Sequence, residues 1–175
     1  LCAERSAFSV FSNAGQDCCA RSRIFIQRGI YEKFIEALVS RTRRIRVGDP
    51  LLEETEVGPM ISLKQRESVL GYVRLGEEEG AKLLCGGRPP KEARFSDGAY
   101  LLPAVFDKAK PSMRVVREEI FGPVLCAIPF KDEAEAIRLA NDSQYGLSGS
   151  VWPRDIGRAI RVSRAIKRGV ISVHT

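Results

Sequence analysis

Hydrophobic residues follow two kinds of pattern along the chain, one with helical spacing and one of short unbroken runs. Apolar residues recur at helical spacing over about 31–45 and about 63–80, which predicts two amphipathic helices. Ser62 is placed as an N-cap for the second helix. Short unbroken apolar runs predict strands at 23–27, 81–85 and 125–130. Helices and strands are therefore expected in alternation.

The same alternation continues in the second half. Asp132 and Glu135 form a capping-box pattern at the start of one helix. The segment 100–106 contains Pro103 and is predicted as an edge or irregular strand, because proline cannot donate a hydrogen bond within a sheet. The remaining predicted elements are helices over 134–140 and 155–166 and strands at 146–152 and 169–173. This order predicts an α/β fold with a largely parallel sheet and helices on both faces.

The composition is that of one globular domain. Hydrophobic residues make up 44% of the 175 residues and charged residues 29%, which is enough apolar surface for a core. No apolar run approaches the ~20 residues that span a bilayer, so we predict no membrane partner. The net charge is +6, but an acidic run at 77–79 opposes the arginines of 41–46, and no aromatic residues alternate with those arginines. We therefore predict no nucleic-acid partner.

Cysteine usage indicates a reducing compartment. The five cysteines are odd in number and include no Cys-x-x-Cys pair, so a disulfide framework is poorly supported. His174 is the single histidine, which argues against a zinc cluster, and we predict no metal site. These features favour a cytoplasmic location.

One stretch near the N-terminus carries candidate chemistry, because two cysteines follow a Gly-Gln pair. A thiol reacts as its thiolate, and backbone N–H groups at a turn can stabilise that charge. Gly15 allows a positive φ, and Gln16 brings an amide that donates or accepts a hydrogen bond. The alternative is that Cys18 and Cys19 are small buried residues, since free cysteine is often buried.

A second unusual stretch runs over 117–124. Glu118 and Glu119 precede Phe121 and a Gly-Pro turn, after which the apolar strand at 125–130 begins. Taken alone, this stretch is typical of a solvated turn with a core phenylalanine. The chain contains neither Gly-x-Gly-x-x-Gly nor Gly-x-x-x-x-Gly-Lys, so it carries no dinucleotide fingerprint or P-loop of its own.

Taken together, these stretches resemble the aldehyde dehydrogenase superfamily, in which Gly-Gln-x-Cys carries the nucleophile. Further segments resemble the same family in the same order and extend the likeness over nearly the whole chain; they are 47–50, 58–59, 80–82 with 86–87, 118–124, 141–142 and 145–147. The resemblance implies that residues 1–175 are the catalytic domain of that family.

The resemblance implies a mechanism centred on Cys18. Its thiolate is expected to attack a small-molecule aldehyde and give a thiohemiacetal, hydride then passes to NAD or NADP, and water hydrolyses the resulting thioester. The backbone N–H of Cys18 is expected to supply one half of the oxyanion hole.

The resemblance also implies roles for five other side chains. Glu119 corresponds to the glutamate that binds the nicotinamide ribose, and Phe121 to the aromatic residue that packs against that end of the cofactor. Gln65 is similar in position to a polar residue that reaches the adenine-side ribose. Phe8 and Phe11 are expected to line the substrate tunnel and to favour a hydrophobic aldehyde.

The chain departs from the family pattern in several respects. The family's N-terminal cofactor domain and its oligomerisation arm are expected to lie outside this chain, together with the asparagine of the oxyanion hole and the glutamate that activates water. We therefore predict that the isolated chain is inactive or nearly so, and that the full-length protein is a homo-oligomer. His174 stands where the family usually has asparagine and is predicted to be structural rather than a catalytic base. Arg21 stands where glycine is common and adds bulk close to the nucleophile.

Two other functions stay open from the sequence. The first is a catalytically incomplete family member or fragment that serves as an interaction module. The second is an acylating or semialdehyde-specific dehydrogenase, in which the thioester passes to another acceptor.

Overall fold

The computed structural model describes residues 1–174, which form a mixture of helices and strands. The helices are α1 Cys2–Phe11, α2 Tyr31–Arg43, α3 Leu63–Glu78, α4 Arg114–Arg117, α5 Glu133–Asn141 and α6 Ile156–Ala165. The strands are β1 Arg23–Gln27, β2 Lys82–Cys85, β3 Ala104–Asp107, β4 Val124–Phe130, β5 Ser148–Val151 and β6 Val170–Val173. Among the described helices, none combines the length and apolar character needed to cross a membrane.

The strands form two sheets, and most neighbouring strands are parallel. The larger sheet has the order β1-β4-β3-β2, in which β4 pairs in parallel with both β1 and β3, and β2 is antiparallel to β3. Strands β5 and β6 form a separate parallel pair. The predicted α/β fold with a largely parallel sheet is confirmed, although the strands are divided between two sheets.

Helices cover both faces of the larger sheet, as adjacent residues of β3 show. The Tyr31 hydroxyl at the start of α2 donates a 2.5 Å hydrogen bond to Oδ1 of buried Asp107. The ring of the preceding residue, Phe106, packs against Gly76 of α3, where an added Cβ would lie 2.9 Å from the ring. Because successive strand residues point to opposite faces, α2 and α3 lie on opposite sides of the sheet.

The prediction of an edge or irregular strand over 100–106 is wrong about the edge position, whereas an irregularity is present, because the pairing with β2 shifts register between Leu83 and Cys85. Strand β3 lies between β4 and β2, and all four of its residues are buried. Pro103 immediately precedes the first paired residue, Ala104, whose backbone N–H donates to the Pro123 carbonyl at 2.8 Å. Proline therefore removes no donor from the sheet, and the strand can occupy an interior position.

The sheet brings the two unusual stretches together. The cysteine loop, residues 12–22, leads directly into β1, and the glutamate turn, residues 118–123, leads directly into β4. Strands β1 and β4 are parallel neighbours, with Arg23 opposite Cys126. Because the segments before two parallel neighbours lie at the same edge of a sheet, the loop and the turn come to lie side by side.

Candidate active site

The cysteine loop and the glutamate turn are in direct backbone contact. Gly15 has φ +69°, and a Cβ added there would lie 2.2 Å from the carbonyl oxygen of Gly122. No side chain fits at that distance, so glycine is required both by its conformation and by the contact. The position of the cysteine loop is therefore set by the turn that carries Glu119.

Both segments contain residues in the left-handed region, which side chains disfavour. Asn13, Ala14 and Phe121 have φ values of 52°, 53° and 54°. The Asn13 side chain offsets part of this strain, because its Nδ2 donates to the Gln16 carbonyl at 2.9 Å. Such conformations cost about 1–3 kcal/mol each and cluster at functional sites.

Cys18 and Cys19 lie on an exposed turn. The Ala20 backbone N–H donates to the Asp17 carbonyl at 3.0 Å, and the Cys19 N–H donates to Asp17 Oδ1 at 2.7 Å. Both cysteines are exposed, which excludes the alternative that they are buried. Within the described residues the Cys18 N–H makes no hydrogen bond, so it is free to donate to an oxyanion. The ligand atoms of Asp17, Cys18 and Cys19 lie within 4.8 Å of one another, so the absence of a metal site stays a prediction.

Two glutamine side chains hold the loop and the turn in place. Gln16 Oε1 accepts a 3.0 Å hydrogen bond from the Ile61 backbone N–H. Gln65 Nε2 donates to the carbonyls of Ile120 and Phe121 at 3.3 and 3.0 Å. In this structure the Gln65 amide thus supports the turn, and its predicted contact with the cofactor stays a prediction.

The two adjacent glutamates have different surroundings. Arg114 donates two hydrogen bonds to the Glu118 carboxylate, at 2.7 and 3.2 Å, and the Tyr72 hydroxyl donates a third at 2.8 Å. These donors lower the pKa of Glu118 below its ordinary value, with Arg114 as the largest cause. The Glu119 carboxylate is exposed and has no hydrogen-bond or ion-pair partner among residues 1–174, while its backbone N–H donates to the Tyr145 hydroxyl at 3.3 Å. Glu119 is therefore the glutamate that is available for a ligand.

The three predicted phenylalanines occupy different environments. Phe121 is 41% exposed and Phe8 is 71% exposed, so both rings present apolar surface to solvent. Phe11 is only 1% exposed and belongs to the core. A tunnel role for Phe8 stays a prediction, whereas the structure assigns Phe11 to core packing and gives no support for its tunnel role.

A cleft of about 730 Å³ lies beside Cys18 and separates the two sheets. All residues of β1 and β5 line it. Of the six predicted site residues, Cys18 and Glu119 line this cleft, together with Arg21 and Tyr145. The cleft therefore joins the candidate nucleophile to the available carboxylate.

Several supporting residues were not predicted from the sequence. Tyr72 and Arg114 hold Glu118, and Tyr145 contacts the backbone of Glu119. Tyr72 is 46 residues from Glu118 in the chain, and Tyr145 is 26 residues from Glu119, so neither contact could be read from the local sequence. Arg114 is different, because it lies one helical turn before Glu118. That i,i+4 spacing of opposite charges was the one usable signal.

Comparisons with known proteins show the family of the chain. The family model described as the aldehyde dehydrogenase family matches residues 1–175, and the chain therefore belongs to that family. It is 48% identical to the 5-carboxymethyl-2-hydroxymuconate semialdehyde dehydrogenase of Escherichia coli, over 98% of this chain and 37% of that protein. It is 46% identical to the betaine aldehyde dehydrogenase of Brucella ovis, over 91% of this chain and 33% of that protein.

A solved structure shows the same fold. The betaine aldehyde dehydrogenase of Staphylococcus aureus, crystallised in complex with NAD⁺, superposes with a TM-score of 0.96 and 40% identity. The superposition covers 98% of this chain and 34% of the Staphylococcus chain. The chain thus spans about a third of the length of the relatives that it matches.

Proposed function

We propose that this chain forms the catalytic domain of an NAD(P)-dependent aldehyde dehydrogenase that oxidises a small aldehyde to a carboxylic acid. The observation that carries the proposal is the arrangement around the cleft. Cys18 and Glu119 line the same cleft, on two segments that Gly15 and Gly122 hold together. Among residues 1–174, neither the Cys18 backbone N–H nor the Glu119 carboxylate has a partner.

Cys18 has the surroundings that nucleophilic catalysis requires. Its thiolate attacks the aldehyde carbon, a C–S bond forms, and the carbonyl electron pair moves to oxygen. The Cys18 N–H donates a hydrogen bond to this oxyanion in the thiohemiacetal. After oxidation the acyl group is bound to Cys18 as a thioester, and its hydrolysis releases the acid and restores the thiol.

Two exposed side chains of the glutamate turn fit a nicotinamide cofactor. Glu119 offers a carboxylate that can accept hydrogen bonds from ribose hydroxyls, and the exposed Phe121 ring offers apolar packing surface. When bound, the cofactor supplies the hydride acceptor for the oxidation. The NAD⁺ complex of the Staphylococcus relative supports this choice, and the distinction between NAD and NADP stays open.

The wider organisation of the protein is part of the same proposal. The relatives are about three times as long as this chain, which supports a cofactor domain and an oligomerisation arm in further sequence. The isolated chain is then expected to show little activity, and homo-oligomerisation is expected of the intact protein. All five cysteines are free, which supports a reducing compartment such as the cytoplasm.

Two substitutions at adjacent thiols test the proposal in the intact protein. Cys18→Ser is expected to lower NAD-dependent aldehyde oxidation about a thousand-fold or more, because a serine hydroxyl is a far weaker nucleophile than a thiolate. Cys19→Ser is the matched control and is expected to keep activity within about ten-fold. Brief treatment with substoichiometric iodoacetamide, followed by peptide mapping, is expected to label Cys18 ahead of Cys85 and Cys126. Equal activity of the two variants would contradict the proposal and favour an interaction module.

A further inference from the structure

Arg21 is the one residue of the cysteine loop that brings a positive charge to the cleft next to Cys18. Its Nη2 donates to the hydroxyls of Ser148 and Ser172, at 3.5 and 3.2 Å, which hold the guanidinium between the cysteine loop and the β5–β6 sheet. Its Nε is buried and has no partner among the described residues. The side chain is therefore fixed in place while part of its donor capacity is unused.

The other arginines on the cleft are differently bound. Arg117 pairs with Asp142, and Arg158 pairs with Glu133. Arg23 and Arg168 donate to backbone carbonyls. Within residues 1–174, Arg21, Arg23 and Arg168 have no carboxylate within ion-pair distance, and Arg21 is the one of these three that lies in the cysteine loop.

A partly buried guanidinium without a counter-charge is costly, because two hydroxyls do not neutralise it. An incoming anion that binds the guanidinium would remove much of that cost. Guanidinium groups recognise carboxylates through charge-assisted hydrogen bonds, which are stronger than neutral ones. The cleft thus offers a thiol and, three residues further along the chain, an unneutralised cation.

We propose that Arg21 makes the enzyme selective for aldehydes that carry a carboxylate, by binding the carboxylate while Cys18 attacks the aldehyde group. This inference rests on the proposed function, because it assumes that Cys18 is the nucleophile. It also predicts discrimination against aldehydes with a cationic group, which the same charge repels.

Alkylation of Cys18 tests the electrostatic step without any turnover. In the intact protein, the Cys18 labelling rate is measured by peptide mapping with anionic iodoacetate and with neutral iodoacetamide. The ratio of the two rates is expected to fall about five-fold in Arg21→Gln, because a neighbouring positive charge attracts only the anionic reagent. Arg21→Lys is expected to keep most of the ratio. Arg74→Gln removes one exposed positive charge of α3, away from the cleft, and is expected to leave the ratio unchanged.

Steady-state kinetics test the selectivity itself. The ratio of kcat/KM for succinic semialdehyde to kcat/KM for butanal is expected to fall about ten-fold or more in Arg21→Gln, mainly through KM, because a charge-assisted hydrogen bond is lost. Betaine aldehyde, a cationic probe, is expected to become a better substrate in the same variant. Arg21→Lys is expected to restore part of the preference.

The outcomes separate the two proposals. An unchanged labelling ratio and unchanged substrate preference in Arg21→Gln, with Cys18 still labelled by iodoacetamide, would overturn the role of Arg21 and leave the proposed function standing. Failure of Cys18→Ser to lower activity would overturn the proposed function instead. If Arg21→Gln unfolds, the Arg21→Lys variant provides the test. Loss of the preference for the carboxylate-bearing aldehyde in this folded variant, which keeps the positive charge, would contradict recognition by charge.

Discussion

The two sides of the cleft differ in how firmly they are built. On the side of the larger sheet, β1 lines the cleft and has one buried residue, but behind it the first five residues of β4 are buried and β3 is wholly buried. The cysteine loop also contacts the glutamate turn backbone to backbone. On the other side, β5 has one buried residue and β6 has none. Leu147, just before β5, and Val170, the first residue of β6, are both exposed.

The two sides of the cleft thus carry different parts of the proposed site. Groups proposed for the chemistry, Cys18 and Glu119, lie on the firmly packed side, where geometry is fixed by backbone contacts. Ser148 and Ser172, which position Arg21, lie on the loosely packed side, where side-chain hydrogen bonds make the link. A rigid element holds reacting groups more accurately, whereas residues that select substrate tolerate variation at lower cost to the fold.

The largest expected effect comes from breaking the packed side at its closest contact. Gly15→Ala places a Cβ 2.2 Å from the Gly122 carbonyl oxygen and forces alanine to adopt φ +69°. We expect the free energy of unfolding to fall by about 3 kcal/mol or more, because the overlap and the conformational strain add. Denaturant unfolding of the intact protein measures this change.

Gly29→Ala is the control for that substitution. A Cβ at Gly29 meets nothing within 4 Å, so the free energy of unfolding is expected to change by less than about 0.5 kcal/mol. Similar losses at the two glycines would show that the contact between the cysteine loop and the glutamate turn has no special weight.

An intermediate effect is expected at the hydrogen bond between α2 and β3. Tyr31→Phe leaves the buried Asp107 without its hydroxyl donor, so we expect a loss of about 2 kcal/mol at pH 7. Burial, followed by the hydrogen bond to Asp107, raises the pKa of Tyr31 above its ordinary value. The Tyr31 hydroxyl therefore makes its full contribution to the free energy of unfolding below about pH 10. This contribution declines as the pH rises further, because the Tyr31 hydroxyl ionises at a lower pH in the unfolded state than in the folded state.

Urea unfolding at pH 7, 9 and 10.5 measures this effect for the unsubstituted protein and for Tyr31→Phe. The difference in free energy of unfolding between the two proteins is expected to be the same at pH 7 and pH 9 and to be smaller at pH 10.5. Tyr100→Phe is the matched control, because the Tyr100 hydroxyl makes no hydrogen bond within the described residues. A difference that widened with pH would contradict the assignment.

Local signals predicted helices α2, α3, α5 and α6 and the starting points of three of them. Ser62, Asp132 and Asp155 each accept the expected hydrogen bond from the backbone N–H three residues ahead. The strands at the start and end of the chain also lie close to their predicted ranges. These features depend on residues within one or two turns of each other, and a single sequence contains that information.

Long-range pairing explains what the sequence did not predict. The interior position of β3 depends on partners at 82–85 and 124–126, whereas Pro103 indicated only a local disruption. The difference in surroundings between Glu118 and Glu119 likewise depends on Tyr72, which lies 46 residues from Glu118 in the chain. Cys18 and Glu119 were predicted through a family resemblance, and their placement on one cleft follows from the parallel pairing of β1 with β4.

The smallest expected effect on stability lies on the loosely packed side of the cleft, at Ser172. Ser172→Ala removes one acceptor of the Arg21 guanidinium, and we expect the free energy of unfolding to change by no more than about 0.5 kcal/mol, because the bond joins partly exposed groups. The ratio of Cys18 labelling by iodoacetate to labelling by iodoacetamide is nevertheless expected to fall about two-fold, since the guanidinium loses part of its orientation. Ser163→Ala on α6, whose hydroxyl bonds its own helix, serves as the control. A stability loss at Ser172 as large as the loss at Tyr31 would show that both sides of the cleft are equally rigid, and the proposed division between chemistry and selection would then lose its structural basis.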